Sequence, residues 1–547
     1  MDRGTSEDKN SAAPALTLEL LSKSYRDMSR AALGFAENAL TEYMDLTKKL
    51  GSVKRPDEKD EKSKIFKDPA WQNNPAFSAA KDSYIQLRKA AEKAVEEADL
   101  DPAARRKAEL SVKVYFDALA PTNFFFTNPA AIRKAFETGG LSVVAGLRNF
   151  IDDVLNNKGM PRQVDASPFE VGVNLACTPS KVVFRNELIE LLQYLPQTET
   201  VYSHPLLTSP PWINKYYIMD LAPDRSFIEW AVKHGHTTFA ISYRNPTTEM
   251  ASFGMTDYLE RGFLKALDVV SEITGSEVVD VASLCLGGTL TTAAAAYLTS
   301  KGQGNRIGNI TLLNTMVDFS DPGSLGAFTD LESVEDLEKS MLDKGYLDKD
   351  SMSRTFDFLR PADMIFNYIG PNWLMGEKPP AFDVLVWNSD STRMPAKMHS
   401  EYLRTCYIEN RLAKGKMELA NTVLNVSDVK SPCYILSAQN DHIVPWKSAY
   451  KTNQLTAGET RYVLSNGGHI AGVVNPPGAK AWYLVGDESL NDPDQWMAGA
   501  QKINGSWWQD WMDWTSTRSG EQVSPPTLGS KKNPAICDGP GEYVKED

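Results

Sequence analysis

The sequence is short of cysteine, and the five it has, Cys177, Cys285, Cys406, Cys433 and Cys537, are scattered and odd in number. That pattern suits a reducing compartment and excludes a disulfide framework. No two of them have C-x-x-C spacing, so a zinc site built on paired thiolates is excluded as well. Basic charge is also in deficit. Lys and Arg number 58 against 71 Asp and Glu, a net −13, which argues against a general nucleic-acid binder. The first residues, Met1 to Asp8, contain no apolar core of the secretory type. Nowhere do about 18 apolar residues run together, so no transmembrane helix is expected. Internal repeats are absent. We therefore expect a cytoplasmic protein, or one attached to something in the cytoplasm.

What is present is an ordinary globular composition, 42% hydrophobic and 24% charged over 547 residues, with length for two or more domains. Residues 1–165 read as helical. Apolar positions recur at three and four spacings from Leu16 to Leu50, a charged loop spans Lys54 to Lys64, and further helical patterns run from Ala79 to Ala98 and from Pro102 to Ala118. This region carries no catalytic motif, so its expected role is packing, oligomerisation or surface attachment. From residue 166 the pattern alternates. Strand-like runs at Val182–Phe184, Leu188–Tyr194, Pro205–Ser209, Thr237–Tyr243, Val278–Leu284, Ile310–Asn314, Cys433–Ser437 and Thr460–Leu464 are separated in part by helical ones. Such alternation implies an α/β domain with a mostly parallel sheet covered on both faces. Residues about 320–430 break it, as an inserted cap or lid between two core strands would.

One turn organises this domain. The apolar run Val278–Leu284 meets Cys285-Leu286-Gly287-Gly288, and a helix follows. Strand, sharp turn and helix are the context of the G-x-S-x-G nucleophile elbow of α/β-hydrolases, here with Cys285 for the serine and Ser283 for the first glycine. Two further strand ends carry Asp441 and His469. The chain order nucleophile, acid, histidine is that of an α/β-hydrolase triad. A thiol at its ordinary pKa is mostly protonated and needs a base, which His469 supplies near neutral pH. Asp441 fixes the imidazole tautomer. The expected oxyanion donors are the backbone N–H of Leu286 and one from the loop after Ser209, at Trp212. His442 is a rival to His469, but it shares the Asp441 loop. His234 and His236 form an H-x-H without acidic or cysteine partners nearby, so no metal site is expected. Trp507, Trp508, Trp511 and Trp514 read as core packing.

The stretches Pro210-Pro211-Trp212-Ile213-Asn214-Lys215-Tyr216-Tyr217, Ser242-Tyr243-Arg244-Asn245-Pro246, Asp441-His442-Ile443-Val444-Pro445-Trp446 and Gly468-His469-Ile470-Ala471-Gly472, with the C-x-G-G turn, resemble polyhydroxyalkanoate synthases. The single-subunit class I enzymes are the nearest in type. The resemblance runs from Ser167 to Lys545. It departs from the family at Ser283, usually glycine, and at Trp212, often smaller. It implies an α/β-hydrolase fold with an inserted cap, and polymerisation of (R)-3-hydroxyacyl-CoA to a polyester with release of CoA. It implies Cys285 as acyl carrier, His469 as general base, and Asp441 as an aid either to His469 or to the 3-hydroxyl. Substrate or CoA contacts are implied at Arg360, Trp387, Asn214, Tyr217 and His442. No separate cofactor is implied, since coenzyme A is part of the substrate. The implied partners are a second copy in a homodimer, the growing polyester chain with its granule surface, and granule-coating proteins. A thioesterase or polyester depolymerase on the same fold, and a non-catalytic granule scaffold, are the competing readings.

Overall fold

The computed structural model describes residues 65–478 and 480–547. The helical pattern expected from Leu16 to Leu50 and the loop at Lys54 to Lys64 lie outside the described residues. The chain divides into two compact units. One holds the described residues up to Arg162 together with Arg360–Lys378, the other Gln163–Leu359 and Pro379–Asp547.

In the first unit, helices start where the sequence offers a polar cap followed by proline. Asn74, Asp101 and Asn128 accept hydrogen bonds from first-turn N–H groups of the helices Pro75–Glu97, Pro102–Ala118 and Pro129–Glu137. The side chains satisfy donors that a helix start leaves free, and proline at the first helical position gives up an N–H that had no partner. Phe66, Trp71, Tyr84, Ile85 and Ala120 form its small core. The sequence pattern ended the helical domain at 165 and left all of 320–430 as the cap of the other domain. The structure instead ends this unit at Arg162 and assigns 360–378 to it. The reason is close packing on the helix Leu141–Asn156. A Cβ at Gly146 would lie 2.1 Å from the Trp373 carbonyl oxygen. Trp373 Nε1 donates to Asp153 Oδ2 at 2.8 Å, and Asn149 Nδ2 donates to the carbonyls of Asn372 and Glu377, each at 3.0 Å.

The second unit is built on an 11-stranded sheet. In chain order its strands are β1 (Ser180–Arg185), β2 (Ile189–Tyr194), β3 (Leu206–Ser209), β4 (Thr238–Tyr243), β5 (Val279–Leu284), β6 (Ile307–Leu313), β7 (Cys433–Ala438), β8 (Thr460–Ser465), β9 (Trp482–Val485), β10 (Gln501–Asn504) and β11 (Cys537–Asp538). Across the sheet the order is β11-β1-β2-β4-β3-β5-β6-β7-β8-β9-β10. β4, β3, β5, β6, β7 and β8 run parallel, and the flanking pairs are antiparallel. The parallel strands are buried nearly throughout, as helices on both faces require. Helices of the cap insertion, among them Leu331–Met341, Lys349–Leu359 and Ala396–Tyr402, fall between β6 and β7. The four tryptophans lie on the helix Trp507–Ser516, all buried. Among the described residues no helix is long and apolar enough to cross a membrane.

Gly146→Ala is expected to push the helix Leu141–Asn156 off the Trp373 backbone, at a cost above the roughly 1–3 kcal/mol of ordinary overpacking. Hydrogen exchange should then quicken across 141–156 and 360–378. Gly499→Ala, where a Cβ meets nothing within 4 Å, should leave exchange as it was; equal behaviour of the two variants would refute the close approach.

Candidate active site

The turn after β5 holds Cys285 at φ 52° and ψ −120°, a conformation that costs a non-glycine residue on the order of 1–3 kcal/mol and persists only when neighbours fix it. They do so from several sides. The Cys285 N–H donates to the Leu313 carbonyl at 2.9 Å, and the Cys285 carbonyl accepts from the Gly288 N–H at 2.9 Å and from Thr315 Oγ1 at 3.2 Å. The helix Leu286–Ser300 begins at once. A Cβ at Gly287 would lie 2.1 Å from the Ser209 carbonyl oxygen, so the loop leaving β3 rests against the first turn of this helix. Ser283, the departure from glycine, is fully buried with its hydroxyl bonded to Thr291 Oγ1 at 2.7 Å. The extra atoms are thus accommodated inside the elbow.

Cys285 is half-buried, whereas Cys406 and Cys433 are enclosed and burial pushes their thiols up to about 12. Burial likewise raises Cys177 and Cys537. The first-turn N–H groups beside Cys285, Leu286 among them, have no partner within the helix and favour negative charge there.

His469 and Asp441 come to the same place from the ends of β8 and β7. His469 Nδ1 meets Asp441 Oδ2 at 2.7 Å, and the Asp441 side chain is fully buried. Its Oδ1 accepts the N–H groups of Ile443 and Val444 at 2.8 and 2.9 Å. With Nδ1 so engaged, the ring's other nitrogen is left for the Cys285 side chain, whose sulfur interacts with His469. Burial alone would push His469 down. The charge of Asp441 and the Cys285 sulfur outweigh it and bring His469 up to about 10. The site therefore favours the imidazolium form of His469. Asn314 Nδ2 donates to the His469 carbonyl, and Trp507 and Trp508 donate from Nε1 to the carbonyls of Gly472 and Val473. The tryptophan helix thus holds the histidine loop.

Of the two histidines considered, His469 is the one on Asp441 Oδ2; His442 is half-buried beside it in the chain. Trp212 is buried, its ring edge-on to Tyr258 and Tyr402 and its carbonyl accepting from Thr392 Oγ1 at 3.0 Å. The other residues implied for substrate have framework partners. Trp387 Nε1 donates to the Lys215 carbonyl at 2.7 Å, the Tyr217 hydroxyl to Asp390 at 2.9 Å, and the Asn214 N–H to Thr392 Oγ1 at 3.0 Å. Arg360 belongs to the helical unit, paired with Asp363 one turn along. In the H-x-H, His234 Nδ1 bonds the Trp230 carbonyl, while His236 lies between Tyr202 and Trp511 and burial pushes it down to about 4. Sequence reasoning missed Tyr402 and Tyr407. Their rings meet edge-on at 5.4 Å, and their phenols are raised above the ordinary value, first by burial and also by the nearby Cys285. Their only sequence signal was aromatic content within the cap.

A family model described as the N-terminus of poly-beta-hydroxybutyrate polymerase matches residues 62–231, and one for the alpha/beta hydrolase fold matches residues 211–476. The poly(3-hydroxyalkanoate) polymerase subunit of Rhizobium meliloti is 41% identical over 498 residues, covering 90% of this chain and 81% of that protein. The poly(3-hydroxyalkanoate) polymerase of Methylorubrum extorquens is 41% identical over 487 residues, 88% of this chain and 80% of that one. Poly(3-hydroxyalkanoate) polymerase 2 of Ectopseudomonas oleovorans is 36% identical over 526 residues, 95% and 93% of the two chains.

The raised His469 gives a pH prediction with a definite sign. A group held above its unfolded value, about 6.5 for histidine, contributes fully below that pH and loses its contribution as pH rises through the folded value, here about 10. Asp441→Asn should therefore lower the thermal midpoint most near about pH 6 and least above about pH 10, and lower kcat by about 10²–10⁴-fold. A midpoint difference that grew with pH would contradict the assignment.

Proposed function

The chain belongs to the poly(3-hydroxyalkanoate) polymerase family, and from that premise we propose how its residues polymerise 3-hydroxyacyl-CoA into polyester with release of CoA. The observation that carries the proposal is the contact of Cys285 with a histidine anchored on a buried carboxylate. His469 takes the Cys285 proton. The thiolate attacks the thioester carbonyl of the substrate, and the N–H groups of Leu286 and Trp212 receive the oxyanion. Collapse breaks the carbon–sulfur bond to CoA, whose sulfur takes the proton from His469. The now neutral His469 accepts the proton of an incoming 3-hydroxyl, whose oxygen attacks the acyl-cysteine and expels the Cys285 thiolate. Exchange between thioesters of similar energy keeps the acyl group activated for that second attack; a serine ester would be a deeper resting point.

In this reading Asp441 orients His469. Its two oxygens already accept from two backbone N–H groups and the imidazole, which supports that role over direct activation of the 3-hydroxyl. Class I character, a homodimer and granule-coating partners belong to the same proposal. So does attachment to the polyester granule through the helix Leu141–Asn156. That helix exposes Leu141, Val144, Leu147, Ile151 and Leu155, and Phe126 and Phe136 nearby in the chain are 87% and 84% exposed. An apolar stripe of this extent marks an interaction surface, and the water-excluding product offers a matching one.

Purified protein given 3-hydroxybutyryl-CoA should release CoA thiol and form insoluble polyester, and Cys285→Ser should do neither. Release of free 3-hydroxy acid alone would make the enzyme a thioesterase. For the surface helix, Val144→Asp with Leu147→Asp should preserve turnover of soluble substrate while the fraction pelleting with polyester granules falls severalfold; unchanged pelleting would remove the helix from the proposal.

A further inference from the structure

The loop between β3 and the helix Phe227–Lys233 contains a lysine whose ammonium is almost wholly buried. Lys215 is 4% exposed. Burial lowers its pKa while Asp390 opposes the shift. A cation enclosed in this way needs partners, and it finds them far along the chain. Nζ donates to the carbonyl oxygens of Val544 at 2.9 Å and Glu546 at 2.5 Å, with Asp390 at 3.8 Å. The first of these contacts joins residues 329 apart in sequence.

Both sides of that contact are tied down independently. On the loop side, the Lys215 carbonyl accepts from Trp387. Asn214, beside it, sits at φ 65°, a left-handed conformation sustained by its surroundings. Its N–H donates to Thr392 Oγ1, which donates in turn to the Trp212 carbonyl. On the other side, residues 541–547 are anchored on the β1–β2 hairpin. The buried Glu190 accepts the N–H groups of Glu542 and Tyr543, each at 3.0 Å, and the Tyr543 hydroxyl donates to the Asn186 carbonyl at 2.6 Å. Glu546 pairs with Arg244, and the Asp547 carbonyl accepts from Arg393 at 2.8 Å. A Cβ at Gly541 would lie 2.3 Å from Glu190 Oε2. The segment is thus a strap, fixed to the hairpin at one end and to the 212–217 loop through Lys215 at the other.

We propose that Lys215 is a positioning residue for acyl transfer: its ammonium, seated on the strap 541–547, fixes the loop that presents the Trp212 N–H to the developing oxyanion. This rests on the reading of Cys285 as acyl carrier and Trp212 as oxyanion donor. An oxyanion donor is sensitive to displacement because it acts only at the distance where charge develops. The strap supplies rigidity from outside the loop, whose own sequence, with Pro210, Pro211 and the left-handed Asn214, makes no regular structure until Tyr216.

The test separates positioning from general support. Acyl transfer passes through an oxyanion, whereas alkylation of Cys285 by iodoacetamide displaces iodide at a saturated carbon and forms none. In Lys215→Met, kcat with 3-hydroxybutyryl-CoA should fall about 10- to 100-fold, below the loss from deleting a donor outright. KM and the alkylation rate should stay near wild type. Gly541→Ala, which disturbs the strap at its far end and touches no atom of the loop, should show the same split in smaller measure, and it decides the matter if Lys215→Met does not fold. Equal falls in acyl transfer and alkylation would reduce Lys215 to a structural residue, and wild-type kcat in a folded variant would remove it from the reaction. Retained acyl transfer by Cys285→Ser would instead overturn the underlying reading and leave the strap unconcerned.

Discussion

The catalytic unit depends on one backbone constraint, the left-handed conformation of Cys285 at the end of β5. A residue with a Cβ does not rest there unaided. The parallel neighbour β6 takes its N–H, Thr315 and the first helical turn take its carbonyl, and the Ser209 carbonyl lies where only a glycine can follow at 287. These contacts come from the ends of β3 and β6 and from the helix that follows, so the turn exists only once the sheet order around β3, β5 and β6 is in place. The strain is returned as geometry. The thiol stands at the end of a central strand, beside the first helical turn and within reach of a histidine carried by the loop after β8.

The second condition is electrostatic. An imidazole enclosed in protein would ordinarily be neutral, as His236 is under Tyr202 and Trp511. His469 is as deeply enclosed and titrates in the opposite direction, because Asp441 and Cys285 face it. The difference between His236 and the histidine proposed as base is the company each keeps. Among the cysteines, burial raises Cys177, Cys406, Cys433 and Cys537. Two buried tryptophans pin the loop behind His469 through their indole N–H groups, so the C-terminal helix is part of the site's rigidity.

Much of this was legible in sequence where the signal is local. The buried parallel strands are short apolar runs between turn residues, and β5, β7 and β8 begin and end within a residue or two of where the pattern puts them. The residues at their ends, Cys285, Asp441 and His469, meet in space. The helix expected from Pro102 begins there, behind its cap Asp101, whereas the one expected from Ala79 begins at Pro75. What escaped notice was non-local. The strands β9, β10 and β11 at the two ends of the sheet are only two to four residues long and pair antiparallel, too short to carry a period of their own. The transfer of 360–378 to the helical unit rests on Trp373 meeting Gly146 and Asp153, residues more than 200 positions earlier. No window on the sequence contains both sides of such a contact.

The same reasoning explains where the support for catalysis is found. A nucleophile, a base and an acid can be placed by strand ends, because strands are straight and the sheet fixes their spacing. An oxyanion donor on a loop has no such guide. Its position must be set by groups that lock the loop from outside, and those groups can come from anywhere in the chain. For the donor proposed at Trp212 they are Thr392, Trp387 and the strap that receives Lys215. A charged group enclosed at such a junction is an expensive way to hold a loop, but it is a directional one. An ammonium spent on two carbonyl oxygens of one segment fixes both distance and angle, which apolar packing of the same volume does not.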